Sequence, residues 1–342
     1  LGGGARQSTA DGSVQYYLAA MALDRPDPRP VTIPLTFLPH GVTPAPGRPD
    51  LVLLFEKHGP GACAVDLAAR SVAAVLQAPP GRQFYGHGAF SRDSALLYCT
   101  ETDLRDRKRG YIAVHDGRDF RYLGDFPTHG LAPHDCLLRD DGRTLVVTNG
   151  GSPVGAEHDG PCVTFVDVAT GALLAREPIP DPRLNAGHLA MTRDGGLAVT
   201  SAPRDGVPPH DRGGVSLRGP TGPLRTCAEP ADIVALMQGE TLSLAIGGPR
   251  PVVATTSPLG HLVAFWSLAT GELVRSLRVP SPRGVALTLD GREFVITFGA
   301  TAKASRIDVE TLAPVDAPGN RSGIPCAITG SHVLVHDTAA FA

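Results

Sequence analysis

Apolar residues along the chain alternate with polar ones in short runs, and the runs come in pairs around an Asp-rich turn. The segment Gly86-His87-Gly88-Ala89-Phe90-Ser91-Arg92-Asp93 and the apolar run after it align with residues 133–147, 187–199 and 283–295. Each copy is a strand, a tight turn and a second strand, which is the pattern of a hairpin. A second pair follows each hairpin, as in residues 162–167 with 172–176 and 262–266 with 272–277, both joined through Ala-Thr-Gly. Four strands per unit at intervals of 41 to 55 residues predict propeller blades.

The first strands are anchored at His40, His87, His134, His188, Ser243, Gly284 and about Pro325, which makes seven units. The last contains only residues 326–329 and 332–335, so its outer pair is expected from the other end of the chain, at residues 16–23 and 31–35. Pairing the two ends inside one blade removes an exposed edge and closes the ring. The expected architecture is all-β: a seven-bladed propeller over residues 16–342, with residues 1–15 as an exported N-terminal tail.

Composition agrees with many strands and turns, since 40 glycines and 32 prolines are spread along the chain rather than gathered in one tract. A net charge of −3 offers no electrostatic footprint for nucleic acid. No run of eighteen apolar residues is present, so no membrane span is expected, and the protein is expected to be a monomer. The small-residue start Leu1-Gly2-Gly3-Gly4-Ala5 reads as the remnant of a cleaved export signal, which predicts a periplasmic or otherwise exported protein. An artificial boundary in a cytoplasmic protein is the competing reading. Six cysteines stand far apart with no Cys-x-x-Cys, which speaks against a zinc ribbon or a thioredoxin-type pair. They are expected as core residues, with at most one bridge, Cys99 to Cys136.

Residues 82–91, the Cys99-Thr100-Glu101-Thr102-Asp103 stretch, Pro133-His134-Asp135 and His188-Leu189-Ala190 resemble an exported bacterial propeller family of unknown function, numbered 1513. Residues 144–151 are similar to the Tyr-Val-Thr-Asn repeats of bacterial surface propellers. The resemblance implies a seven-bladed fold and export through the twin-arginine route. It also implies a setting beside iron-uptake proteins of the imelysin type, and with it a periplasmic metal role and an envelope redox or iron-uptake partner.

Four of the twelve histidines, His40, His87, His134 and His188, fall at blade-equivalent anchors that open on one channel mouth. Converging imidazoles suit copper, iron or zinc. Two other readings stand beside that one: each histidine caps its blade through a backbone carbonyl, or protonated rings hold an organic anion. Glu101 is the expected extra ligand, or a carboxylate that orients a ligand histidine. Glu56, His58, Asp103 and Asn149 are expected near the same face, His129 is placed to join it, and Cys136 stands two residues beyond His134. No Gly-x-Ser-x-Gly elbow, phosphate loop or dinucleotide fingerprint is present. The function expected is transition-metal binding at the channel mouth, in metal acquisition or in the reaction of a metal-dependent oxidoreductase. The alternative is a non-catalytic envelope scaffold that docks a protein partner.

Overall fold

The computed structural model describes every residue except 10, 26, 27, 157, 158 and 342. Seven antiparallel sheets succeed one another along the chain, each of four strands apart from the second, which gains a fifth. Blade 1 spans residues 41–76, blade 2 residues 82–131, blade 3 residues 133–178, blade 4 residues 189–226, blade 5 residues 243–278 and blade 6 residues 282–325. Blade 7 is built from Val333–Leu334 innermost, then Gly2–Ser8, Val14–Ala20 and Val31–Leu35.

The core is divided among the gaps between blades. Alternation gives every strand two faces, and each face meets the neighbouring sheet. Seven apolar clusters result, one for each pair of adjacent blades. Phe55 of blade 1 packs with Phe84 of blade 2, and Phe265 of blade 5 with Phe294 of blade 6. Leu18 and Ile33 of blade 7 pack on Val52 and Leu54 of blade 1, so the apolar ring has no gap at the seam.

Hydroxyls tie the blades together nearer the axis. Thr256 Oγ1 accepts from the Ser243 amide of its own blade at 3.2 Å and donates to the Arg283 carbonyl of the next at 2.5 Å. Thr148 links Asp135 to Gly187 in the same way, and Thr100 links His87 to His134.

Closure obeys the expected principle with a different division of strands. The seventh inner strand begins after His332 and not at Pro325, which instead ends the outer strand Ile324–Pro325 of blade 6. Residues 326–329 cross from there towards the channel, with Cys326 and Ile328 buried between blades 6 and 7. Residues 2–8, expected as part of a tail, supply the second strand of blade 7, with Gly2 opposite Leu334 and Gly3 opposite Val333. The glycines that read as a tail are there for close packing. A β-carbon on Gly3 would stand 2.7 Å from the His332 carbonyl oxygen, and one on Gly4 would run into the Pro39 carbonyl.

Candidate metal centre

The inner strands bring His40, His87, His134 and His188 into one throat on the channel axis, with one nitrogen of each within 4.8 Å of the others. The Nε2 atoms of three of them form a compact triangle: His40 to His134 3.4 Å, His40 to His188 3.3 Å and His134 to His188 2.7 Å. A cation just off the plane of that triangle lies about 2 Å from all three atoms, which is the length of a metal–imidazole bond. His87 is the fourth ring, 5.0 Å from His40 and 5.1 Å from His188 between centroids.

Glycine makes this crowding possible at one position in particular. Gly86 has φ +117°, and a β-carbon there would stand 2.6 Å from His40 Cδ2. Any larger residue would be strained and would push the His40 ring out of place.

Burial keeps the rings neutral. His40, His134 and His188 are held well below the usual histidine range, chiefly by desolvation and then by neighbouring charges: His332 ranks first for His40 and His188, Lys57 for His134. His87 is also lowered by burial, with Asp135 opposing the shift. Neutral rings keep their lone pairs, the form a metal requires. His87 Nε2 and His188 Nδ1 are enclosed without a hydrogen-bond partner. An orphaned buried nitrogen costs about 1–3 kcal/mol, so part of the donor set is left for something to fill.

A fifth histidine joins the four. His332 lies 3.9 Å from His188, 4.5 Å from His40 and 5.2 Å from His87 between ring centroids, and its Nε2 is enclosed without a partner. In the sequence His332 opens the last expected strand, residues 332–335, and on that ground reads as structural. The available signal is its place one residue ahead of an inner strand, as for His40 and His188.

The carboxylate beside the rings is Asp135. Its Oδ1 lies 3.4 Å from His87 Nδ1, and it is held in place by the Cys136 amide at 2.8 Å and the Leu189 amide at 3.1 Å. Glu101 faces another way, with Oε2 3.8 Å from Arg82 Nη1, inside a group that includes Asp125 and Tyr122. Burial raises its carboxyl to about 8 despite Arg82.

The remaining histidines and the other residues expected near this face are dispersed. His129 Nε2 meets the Gly171 carbonyl at 2.9 Å, and His115 Nδ1 the Phe120 carbonyl at 2.9 Å. His261 accepts from the Ser281 amide, and His336 meets the Pro49 carbonyl. His210 is exposed, and His158 lies outside the described residues. Asn149 is buried against Thr128 and Thr164, Asp103 pairs with Arg105, and Glu56 accepts from the Gly61 amide. Cys136 is packed in the core between blades 2 and 3, and all six cysteines are free and buried.

Over the throat, Lys57–Gly59 adds a short strand to the channel edge of blade 2, pairing with Phe84 and Tyr85. Lys57 Nζ reaches Glu240 Oε1, just ahead of the inner strand of blade 5, at 3.7 Å. The Lys57 charge contributes to lowering His40, His87, His134 and His332. His58 stands beside it with its ring 4.3 Å from Tyr85 and is pushed down to about 4, mainly by burial.

These features define a seven-bladed β-propeller whose throat is walled by histidines. Residues 33–320 match the family described as "Protein of unknown function (DUF1513)", and the chain belongs to that family. None of the curated proteins matches it. Among solved structures, hydrazine synthase of Kuenenia stuttgartiensis is similar at a TM-score of 0.49 and 16% identity, over 80% of this chain and 96% of that one. No helix among the described residues is long and apolar enough to cross a membrane.

Proposed function

We propose that this protein is an exported, periplasmic propeller that binds a transition metal in its throat through His40, His87, His134 and His188, in metal acquisition or metal-dependent redox chemistry. The observation that carries the reading is the triangle of three Nε2 atoms, whose edges of 2.7 to 3.4 Å match one shared cation. A set of neutral imidazoles favours copper on intrinsic affinity, with zinc next and iron behind. Iron draws its support from the setting that the family resemblance implies. Bound in the throat, the ion would supply a Lewis acid or a one-electron centre. The chain's own residues orient it: Asp135 fixes His87 from behind, and Lys57 at the mouth offers a positive partner to an anion on an open position. Capping of the blades by histidine is less well supported, because three imidazole nitrogens in the throat have no carbonyl or other partner.

The test is elemental analysis of protein purified without a histidine tag, then titration of the metal-free protein with Cu²⁺, Zn²⁺ and Fe²⁺. Stoichiometric uptake of one of them is expected, and Glu101→Gln should take up as much as the wild type because its carboxyl faces Arg82. Absence of uptake for all three ions overturns the proposal in favour of an envelope scaffold.

A further inference from the structure

Five imidazoles line the throat, and three of them, His40, His134 and His188, hold their Nε2 atoms within 2.7 to 3.4 Å of one another. We propose that His87 and His332 form a second cation position beside the one enclosed by His40, His134 and His188, so that the throat takes two transition-metal ions. This rests on the reading of the throat as a metal centre and adds to it the number of ions and the residue His332.

The three Nε2 atoms of His40, His134 and His188 already surround one point, which leaves two rings over. His87 and His332 are 5.2 Å apart between centroids with their planes at 71°, and the Nε2 of each is buried without a hydrogen-bond partner. His87 is one of the four rings whose nitrogens gather within 4.8 Å and His332 is not, so His87 lies between the first point and the second. That point is close, because the His332 ring touches both His188 and His40.

The His87 ring is held from behind, and the backbone leading to His332 is pinned. Asp135 engages His87 Nδ1 and leaves Nε2 as the free donor. His332 comes after a segment pinned to the neighbouring strand, where the Thr329 and Gly330 amides donate to the Gly4 carbonyl, and Arg283 donates to the Gly330 carbonyl. Two nitrogens do not fill the shell of a copper or zinc ion. The remaining positions are left to water or a small bridging anion on the side where Lys57 stands.

The experiment is titration of metal-free, untagged protein with Zn²⁺, desalting and elemental analysis, with Cu²⁺ loading and electron paramagnetic resonance as the second readout. Wild type should retain two equivalents, and the Cu²⁺-loaded protein should give the weakened, broadened signal of coupled spins. His332→Ala and the shape-conserving His332→Gln should each retain one equivalent with the signal of an isolated Cu²⁺. Wild type that stops at one equivalent with an uncoupled signal overturns this inference while leaving the metal centre in place, and it does so without any variant. Wild type that takes up no metal overturns the metal centre as well.

Discussion

Blades 5 and 6 carry Ser243 and Gly284 at the inner-strand position where the other five blades bring histidines into the throat. In these two blades the polar groups are paired: the Ser243 amide donates to Thr256, Ser243 Oγ accepts from the Val285 amide at 3.2 Å, and the Gly284 amide donates to Thr297 at 3.0 Å. On the histidine side the same threonine clasps run through Thr100 and Thr148, yet His87, His188 and His332 each keep a buried nitrogen unpaired. The clasp, present on both sides, holds the ring together. The imidazoles are added to a scaffold that closes without them, which separates what they do from what keeps the fold.

The sharpest way to break this contrast is to remove imidazoles. His87→Ala with His134→Ala is expected to abolish metal uptake, read by elemental analysis, while the metal-free melting temperature stays near that of the wild type. A collapse of the fold would show that the rings serve closure after all.

Acid gives the next largest effect. The five throat rings are held below their ordinary value near 6.5. Below that pH the unfolded chain binds protons that the native throat refuses, so the native state loses about 1.4 kcal/mol per pH unit for each ring that stays neutral. In denaturant melts of metal-free protein the contribution of the rings should therefore be intact above pH 6.5 and fall below it. Saturating Zn²⁺ should move the fall to lower pH. Glu101 acts with the opposite sign: its native proton persists to about 8, so its cost to stability grows as pH rises from 4.5.

The smallest effect belongs to the clasp. Thr256→Val leaves the Ser243 amide and the Arg283 carbonyl without their shared partner and should cost about 1–3 kcal/mol in a denaturant melt. Metal stoichiometry should not change. A loss of metal from this variant would mean that the two sides of the ring are coupled.

Much of this was legible in the sequence because hairpins are local. The Asp-rich turn after Ser91 and its counterparts near Asp140, Asp194 and Asp290 mark four of the seven blades without reference to the rest of the chain, and they place His87, His134 and His188, with His40 one repeat of 47 residues earlier. What failed to show depends on distant neighbours. The seventh inner strand is only Val333–Leu334, too short to display alternation, while the crossing residues 326–329 imitate a strand because the alternate side chains Cys326 and Ile328 are buried. Glu101 looked like the companion of the histidines, but the pairing register between the first two strands of blade 2 shifts between Cys99 and Glu101. Its carboxyl faces Arg82, and Asp135, one residue from His134, takes the place beside His87. No periodicity in the sequence records such a shift.

The order of the throat histidines along the chain has a consequence for biosynthesis. Four imidazoles are translated by residue 188, but residue 332 brings the fifth, on a strand whose partner is Gly2–Ser8. A nascent chain that has finished four blades holds most of the donors on an open arc, with no wall to fix their spacing. The final imidazole and the latch that closes the circle arrive together, within two residues. Under the two-ion reading, a product that stops before residue 332 has neither a sealed ring nor a full complement of donors.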